Sequence, residues 1–224
     1  MKAGDLPVEQ FATLSVLPLI RHGFTTRANG VEVSEDKAAA LKLLDAAHRD
    51  IRVALGVGAM PFATAEQVHG KEVAFIAEPA TACATGADGL ITNRPGVCLG
   101  IYVADCCAVF LIDPVKRAIG LAHSGRKGTE LGIASHALEQ MRERFGSDPQ
   151  DVIAQLSPCI RPPHYEVDFA AEIRAQLRTA GVAAIHDSGV CTACDLNRYY
   201  SYRAEKGCTG RMLAVLALAP DDKR

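Results

Sequence analysis

The segment GIYVADCCAVFLIDP, residues 100–114, is the most apolar run of the chain, yet its middle holds Asp105, Cys106 and Cys107. A buried β-strand has no need of an aspartate, and two adjacent cysteines cannot form a disulfide with each other without strain. These three side chains therefore point to a functional site inside an otherwise hydrophobic strand.

The spacing within this run separates the two cysteines. Neighbouring side chains of a strand point to opposite faces, so Cys106 shares a face with the small residues Ala104 and Ala108, which leave room for a bound group. Cys107 falls on the face that carries the larger apolar residues Val103, Val109 and Leu111. We therefore expect Cys106 to be the ligand or nucleophile and Cys107 to belong to the core.

Two histidines stand where apolar segments give way to loops: His69 in QVHG and His123 in GLAHSGRKG. Binding and catalytic residues concentrate at such places. Together with Cys106 they make a set of three zinc ligands, which leaves a fourth position open, as in catalytic zinc sites that activate water. Two alternatives stay open at this point: buried histidines that bind no metal, and a metal-free Cys–His nucleophile pair.

The overall composition excludes several classes of protein. The chain has 224 residues, 49% of them apolar, with a net charge of −2 and a pI of about 6.4. Because Lys and Arg do not cluster, we expect no nucleic-acid partner. Because no long apolar run is uninterrupted, we expect neither a membrane span nor a signal peptide. We therefore expect a cytoplasmic protein whose eight cysteines are core residues, metal ligands or reactive thiols rather than disulfides.

The pattern of apolar residues predicts helices interspersed with short strands. Helices are expected over residues 34–57, with Ser34 as N-cap, over 128–146, with Thr129 as N-cap, and over 168–181. Strand-like runs cover residues 63–77, 86–93, 97–113, 118–125, 151–160 and 210–218. This mixture predicts an α+β fold with two layers of sheet. The sequence has no repeat or linker, so we expect a single domain over residues 1–224.

Seven segments, in order along nearly the whole chain, resemble the laccase-domain or YfiH-like family. Proteins of this family were labelled multicopper polyphenol oxidases and are described as zinc-dependent purine nucleoside phosphorylases. The segments are HGFTTRANGV (22–31), QVHG (67–70), GADGLITN (86–93), VADCCAVFLID (103–113), GLAHSGRKGTELGI (120–133), SPCIRPPHYEV (157–167) and CTACDLNRYYSYRAEKGCTGRMLAVLAL (191–218).

The resemblance implies a mixed α/β/β/α layered sandwich and a zinc site made by His69, Cys106 and His123. It also implies phosphorolysis of adenosine, inosine, guanosine and methylthioadenosine, together with deamination of adenosine. The expected partners are thus a purine nucleoside and phosphate. The oligomeric state is left open.

Further roles follow from the chemistry that this reaction needs. Phosphate calls for basic side chains, and deamination calls for a carboxylate that moves protons, for which Asp105 and Asp88 are candidates. Asp105 could instead orient a ligand histidine. The expected catalytic residues are Cys106, Asp105 and Arg27, and the expected substrate contacts are Arg27, Gln67, Asp88 and Lys127.

The chain departs from the family pattern in the turn after His123, where HSGRKG stands in place of HAGWRG, so that Arg126 replaces a Trp and Lys127 an Arg. The pair Cys191–Cys194 forms a single CxxC, for which we expect a place in the pocket wall or a structural role, with a second metal as the weaker hypothesis. His164 and four other histidines are interpreted as surface or core residues.

Three other functions compete with zinc-dependent phosphorolysis. A copper-dependent polyphenol oxidase needs roughly ten histidines in paired His-x-His clusters, whereas this chain has seven histidines and no such pair; copper is therefore disfavoured. A metal-independent Cys–His hydrolase would use Cys106 as its nucleophile. A non-catalytic protein that retains the fold is the third possibility.

Overall fold

The computed structural model describes residues 7–28, 30–33 and 36–220 and contains two mixed sheets of six strands each. Sheet A has the spatial order β1 (Val8–Glu9), β2 (Ile20–Thr25), β12 (Met212–Leu218), β7 (Cys98–Val103), β3 (Phe62–Ala65) and β5 (Ala82–Ala84). Sheet B has the order β11 (Ala184–Asp187), β10 (Ile153–Leu156), β8 (Cys107–Asp113), β9 (Ala118–Ser124), β6 (Gly89–Thr92) and β4 (Val73–Phe75).

The helices are α1 (Ala12–Ser15), α2 (Lys37–Ala54), α3 (Arg126–Glu130), α4 (Ile133–Phe145) and α5 (Phe169–Thr179). The three longest, α2, α4 and α5, cover the outer faces of the sheets, whereas Leu14 of α1 is buried in the core between them. Helix α2 lies against sheet A, where His48 contacts the ring of Tyr102 and Arg52 lies over the ring of Phe62. Helices α4 and α5 pack with sheet B around a separate apolar cluster. The predicted α+β fold with an α/β/β/α arrangement is confirmed.

The largest core lies between the two sheets. Residues that alternate along β7 and β12 in sheet A meet residues that alternate along β8 and β9 in sheet B, all of them buried. They include Leu99, Ile101, Val103, Ala214, Leu216, Phe110, Ile112 and Leu121. Each large side chain buried here stabilises the fold by about 1.5–3 kcal/mol. This core fixes the separation of the sheets, and with it the ends of the strands that carry the candidate site.

The segment 97–113, predicted as one strand-like run, is in fact two strands in different sheets. The chain leaves sheet A after β7 and enters sheet B at β8, and residues 104–106 make the crossing. Hydrogen bonds from the Thr192 hydroxyl and the Arg203 amide to the carboxylate of Asp105 hold this bend, each 2.8 Å long. The break was not foreseen because both strands are buried and their apolar run is nearly continuous.

This crossing corrects one detail of the predicted strand faces. Cys107, Val109 and Leu111 lie together in the cluster beneath the helices, as predicted. Val103, predicted on the same face, instead lies between the sheets, because the alternation restarts after the bend. Cys106 is half-buried and adjoins the core between the sheets, near Ala108.

The ends of two helices also differ from the prediction. Ser34 lies outside the described residues, and the carboxylate of Asp36 caps α2 by accepting from the amide of Ala39. The predicted helix 128–146 is two helices, because Gly132 adopts φ +73° and separates α3 from α4. Thr129 therefore lies inside α3 instead of capping a longer helix. In the part of the chain described here, no helix is both long and apolar enough to span a membrane.

Candidate metal centre

The site forms where three connections cross from sheet A to sheet B. The connection from β3 to β4 carries His69, the connection from β5 to β6 carries Asp88, and the connection from β7 to β8 carries Cys106. His123 comes from the end of β9, which lies between β8 and β6 in sheet B. Residues far apart in sequence therefore meet at one end of the two sheets.

The structure brings His69, Cys106 and His123 together. One potential ligand atom from each lies within 4.8 Å of the other two. The two imidazole rings have centroids 4.9 Å apart and are inclined by 73°. Gly125 allows the thiol to approach the chain here, since a Cβ at this position would lie 2.4 Å from the Cys106 sulfur.

Asp88 holds His69 and His123 in place from behind the cluster. Its fully buried carboxylate accepts hydrogen bonds from the amides of Val68, His69 and Gly70, at 2.7–3.1 Å. These bonds hold a turn in which both Gln67 and His69 have positive φ, at 65° and 62°, a conformation that costs free energy in residues other than glycine.

The same carboxylate sets the orientation of His123. Its Oδ1 lies 2.8 Å from Nδ1 of His123, whose side chain is 4% exposed. With Nδ1 engaged, Nε2 is the nitrogen left to bind a metal or to accept a proton. A carboxylate behind a ligand imidazole is the usual device by which proteins fix the tautomer and raise the basicity of such a ligand. The Asp88 carboxylate, which the sequence predicted as a substrate contact, is thus engaged by His123 and by the amides of residues 68–70.

The electrostatics of the cluster favour a thiolate. Burial raises the pKa of Cys106, but the charge of His123 and hydrogen bonds from His123 and His69 outweigh burial and lower it below its usual value. Burial likewise lowers the pKa of His123, but Cys106 and Asp88 outweigh that effect and raise it. The cluster can therefore hold a Cys106 thiolate beside a protonated His123 when no metal is bound.

The donor set fits a single metal ion with an open position. One thiolate and two imidazoles match the nitrogen and sulfur ligands that zinc takes in proteins. The orienting carboxylate behind His123 is present, and the ligand atoms already lie close together before any ion is added. The residues present therefore fit a metal of this class.

A cavity of about 580 Å³ opens over this cluster. Ring side chains and basic side chains share its wall, and His69, Cys106 and His123 lie on one side of it. Its other lining residues include Lys37, Gln67, Tyr102, Asp105, Arg126, Tyr165, Phe169, Tyr202, Arg203, Lys206 and Arg211.

Among the other predicted site residues, Gln67 and Asp105 line the cavity. Arg27 and Lys127 lie outside it. Gln67 is tied to the main chain of Tyr102 through both its amide nitrogen and its amide oxygen. The guanidinium of Arg27 is bound to the carboxylate of Glu205 at 2.8 Å. Lys127 lines an adjoining depression that also reaches His69 and Cys106.

Sequence reasoning missed Lys37, Lys206 and Arg211, three basic residues that line the cavity. Arg211 is 8% exposed, and it donates to the carbonyl oxygens of Thr209 and Gly210. Burial lowers the pKa of Arg211 below its usual value, and the nearby Tyr202, Cys106 and Asp105 offset only part of this effect. The available signal was that Arg211 is the arginine of TGRM, within the last of the seven family-like segments. Lys37 and Lys206 gave none, since isolated lysines look like ordinary surface residues.

Comparison with known proteins agrees with this geometry. The family model described as multi-copper polyphenol oxidoreductase laccase matches residues 21–173 and 167–219. A protein named purine nucleoside phosphorylase from Deinococcus radiodurans is 35% identical over 97% of this chain and 95% of its own length. The purine nucleoside phosphorylase YlmD of Geobacillus stearothermophilus is 31% identical over 67% of this chain and 70% of its own length.

A crystal structure of YlmD from Geobacillus stearothermophilus has the same fold, with a TM-score of 0.86, 24% identity, and coverage of 96% of this chain and 99% of that one. The extent of the family match, the full-length relative and the shared fold lead to one assignment. The chain belongs to the family of multi-copper polyphenol oxidoreductase laccases, the laccase-like family that the seven segments indicated.

Proposed function

We propose that this protein is a zinc-dependent purine nucleoside phosphorylase that also deaminates adenosine at the same site. The observation that carries the proposal is the His69–Cys106–His123 set at the wall of a 580 Å³ cavity that also holds aromatic rings and basic side chains. Relatives that cover most of the chain are named purine nucleoside phosphorylases, which supports the phosphorylase part of the proposal.

Zinc suits this donor set better than the copper of the family's description. A multicopper centre needs several paired histidines, whereas each of the two metal-capable clusters in the described residues has two histidines at most. Zinc bound by His69, Cys106 and His123 would supply Lewis-acid activation of water or of a purine atom. Asp88 would keep the His123 ring in place throughout.

Phosphate would bind among the basic side chains of the cavity wall. Arg126 and Arg203 are both paired with Glu166. For Lys37, Lys206 and Arg211, no carboxylate of the described residues lies within ion-pair distance. These three cations are therefore the free positive charge of the cavity, which an oxyanion could neutralise. We assign phosphate to them rather than to Arg27, whose charge Glu205 already balances.

The aromatic part of the wall suits a purine. Tyr165, Phe169 and Tyr202 line the cavity, and stacking on such rings contributes about 1–3 kcal/mol per base. These rings would replace the tryptophan that the family pattern has at Arg126. Adenosine, inosine, guanosine and methylthioadenosine share the purine ring and the ribose, so all four are proposed substrates.

In phosphorolysis a phosphate oxygen bonds to C1′ of the ribose while the bond between C1′ and the base nitrogen breaks. The electron pair leaves with the base, which takes up a proton. In deamination, water adds to C6 and ammonia leaves, which requires a group that carries protons between them. Asp105 lines the cavity, and one hydrogen bond to each of its oxygens leaves lone pairs free, so we assign it this role.

One observation favours a second candidate function. Cys106, His123 and Asp88 are arranged like a nucleophile, a base and an orienting carboxylate, which is the arrangement of cysteine hydrolases. Such an enzyme would be independent of metal. Hydrolytic activity that survives complete removal of metal would favour the cysteine hydrolase over the zinc-dependent phosphorylase.

The deciding experiment is turnover of inosine and adenosine by the purified full chain, with and without phosphate. We expect ribose 1-phosphate and free base only with phosphate, and inosine from adenosine without it. Arg211→Gln should raise the KM for phosphate about tenfold, from the loss of one charged contact, whereas Arg27→Gln should leave this KM nearly unchanged. Absence of nucleoside turnover in zinc-loaded protein would refute the proposal.

A further inference from the structure

A second cluster of metal-ligating side chains lies outside the site described above. It consists of His164, Cys191 and Cys194, whose potential ligand atoms all lie within 4.8 Å of one another. Both cysteines have free thiols. His164 belongs to the connection between β10 and α5. Cys191 immediately precedes a single turn of 3₁₀ helix, Thr192–Cys194, and Cys194 is its last residue.

The distances within this cluster match those of a tetrahedral zinc site. Nδ1 of His164 lies 3.7 Å from the sulfur of Cys191 and 3.6 Å from the sulfur of Cys194. With Zn–S bonds of about 2.3 Å and Zn–N bonds of about 2.0–2.1 Å, tetrahedral geometry places sulfur and nitrogen ligands about 3.5–3.6 Å apart. One nitrogen of His164 thus faces both sulfurs at the separation that a shared ion requires.

The backbone holds these ligands in place without any ion. Cys191 pairs with Cys159 in a parallel bridge, in which the amide of Cys159 donates to Val190 and the amide of Thr192 donates to Cys159. The amide of His164 donates to the carbonyl of Arg161 at 2.9 Å. His164 and Cys194 are exposed, so an ion can reach the cluster from solvent.

We infer that His164, Cys191 and Cys194 form a second metal site, which takes zinc or another divalent cation that prefers thiolate ligands. Three protein ligands leave its fourth position to solvent or to an added ligand. Two thiolates would balance the charge of the ion, which makes the site more selective for soft cations than the one-thiolate site at Cys106.

An ion at this site would fix part of the wall of the main cavity. The residue after His164 is Tyr165, which lines that cavity. The residue after Cys191 is Thr192, whose hydroxyl donates to the carboxylate of Asp105 at 2.8 Å. The second metal would therefore join the segment that carries Tyr165 to the segment that holds Asp105. It would act as a positioning element and would not touch substrate.

The test is the zinc content of the full chain, purified under reducing conditions without chelators. We expect about two zinc ions per chain in the wild type and about one in His164→Ala and in Cys194→Ser. His123→Ala should also retain about one, and the double variant His123→Ala/His164→Ala about none. Cys208→Ser, which removes an exposed free cysteine outside the cluster, is the matched control and should keep two.

Two further measurements keep the inference falsifiable. His164→Cys supplies a thiolate in place of the imidazole and should keep the second zinc, which separates loss of a ligand from general damage. After cobalt replaces zinc, the second site should supply about two thirds of the thiolate-to-metal absorption, because it has two of the three thiolate ligands. The inference is overturned if His164→Ala and Cys208→Ser have equal zinc contents, or if Cys191 and Cys194 form a disulfide in the reduced protein and no second zinc is bound.

Discussion

The two clusters of histidine and cysteine differ in what surrounds them more than in their ligands. At the first, His123 is buried near the end of a sheet B strand, its ring is oriented by Asp88, and two connections from sheet A to sheet B supply His69 and Cys106. At the second, His164 and Cys194 face solvent and two loop segments supply all three ligands. A carboxylate behind the ligand and an adjoining cavity distinguish a site built for chemistry from one that can only hold segments together.

The largest difference between the clusters should appear in catalysis. His123→Ala removes a ligand whose ion is expected to contribute several kcal/mol to the transition state, so kcat/KM for inosine phosphorolysis should fall by about 10³-fold or more. His164→Ala should lower kcat/KM by no more than about tenfold, because it acts only through the cavity wall. Equal losses in the two variants, measured by steady-state kinetics on zinc-loaded protein, would contradict this division of roles.

The next effect concerns the carboxylate that only the first cluster has. Asp88→Asn leaves one oxygen acceptor and places an amide nitrogen against the backbone amides, so the orientation of His123 is loosened. Zinc affinity at the first site should fall by about 10–100-fold, as for other partners of ligand histidines. Competition with a chelator of known affinity measures it.

Asp113→Asn is the matched control for this change, since Asp113 is another fully buried aspartate of sheet B that accepts from backbone amides. Its substitution should lower the thermal midpoint without changing the zinc affinity. If both variants bind zinc equally well, Asp88 does not act through the ligand.

A smaller effect is expected from crowding the thiol of the first cluster. Gly125→Ala places a methyl group 2.4 Å from the Cys106 sulfur, so the sulfur must move, whereas metal–ligand distances tolerate only about 0.2 Å. We expect a loss of zinc affinity of about tenfold. Gly70→Ala, whose added carbon meets Asp88 at an ordinary 3.4 Å, should keep the affinity. An unchanged affinity in Gly125→Ala would mean that Cys106 does not bind the ion.

The smallest expected effect is on the pH dependence of stability, and it comes from His22, which belongs to neither cluster. Nε2 of His22 accepts from the amide of Phe11, and burial lowers the pKa of His22 from 6.5 to about 4. Between pH 6.5 and pH 4, His22 therefore binds a proton in the unfolded chain but not in the folded chain. The free energy of unfolding falls as the pH drops through this range. At about pH 5.5 the loss is about 1.4 kcal/mol for this histidine.

His22→Gln keeps an acceptor for Phe11 and removes the titration, so its stability should fall less between about pH 7 and about pH 5.5 when measured by urea unfolding. His136→Gln, at a half-buried position of α4, is the control for the loss of a histidine as such. His48, whose pKa burial also lowers to about 4, should supply the pH dependence that remains. Identical slopes in wild type and His22→Gln would contradict this account.

The sequence singled out the three residues that the structure brings together in the first cluster, because each carries a local signal. His69 directly precedes Gly70, His123 stands at the end of an apolar run shortly before Gly125, and Cys106 interrupts another apolar run. The layered fold followed from the alternation of helices and strands together with the family resemblance. The crossing at residues 104–106 could not be read in this way, since an apolar run records burial and not the sheet to which a strand belongs.

Contacts between distant segments account for the remaining differences. Asp88 lies 35 positions from His123, and nothing in GADGLITN records the bond between them. His164 lies 27 positions before Cys191, so the CxxC looked incomplete without the fold. Arg27 seemed available to phosphate because Glu205, its partner, is 178 positions away. In each case a tertiary contact decides the role of a residue whose type alone allowed several.

The connections between the two sheets also affect how the protein unfolds. His69 and Cys106 lie on connections that leave sheet A, while His123 ends a strand of sheet B. An ion bound by all three residues would link the two sheets, and the sheets could not separate without releasing it. Unfolding would then be one concerted event whose midpoint rises with the concentration of free zinc, by mass action on the folded state alone. The same ion that prepares the site for chemistry would thus make the two halves of the sandwich a single cooperative unit.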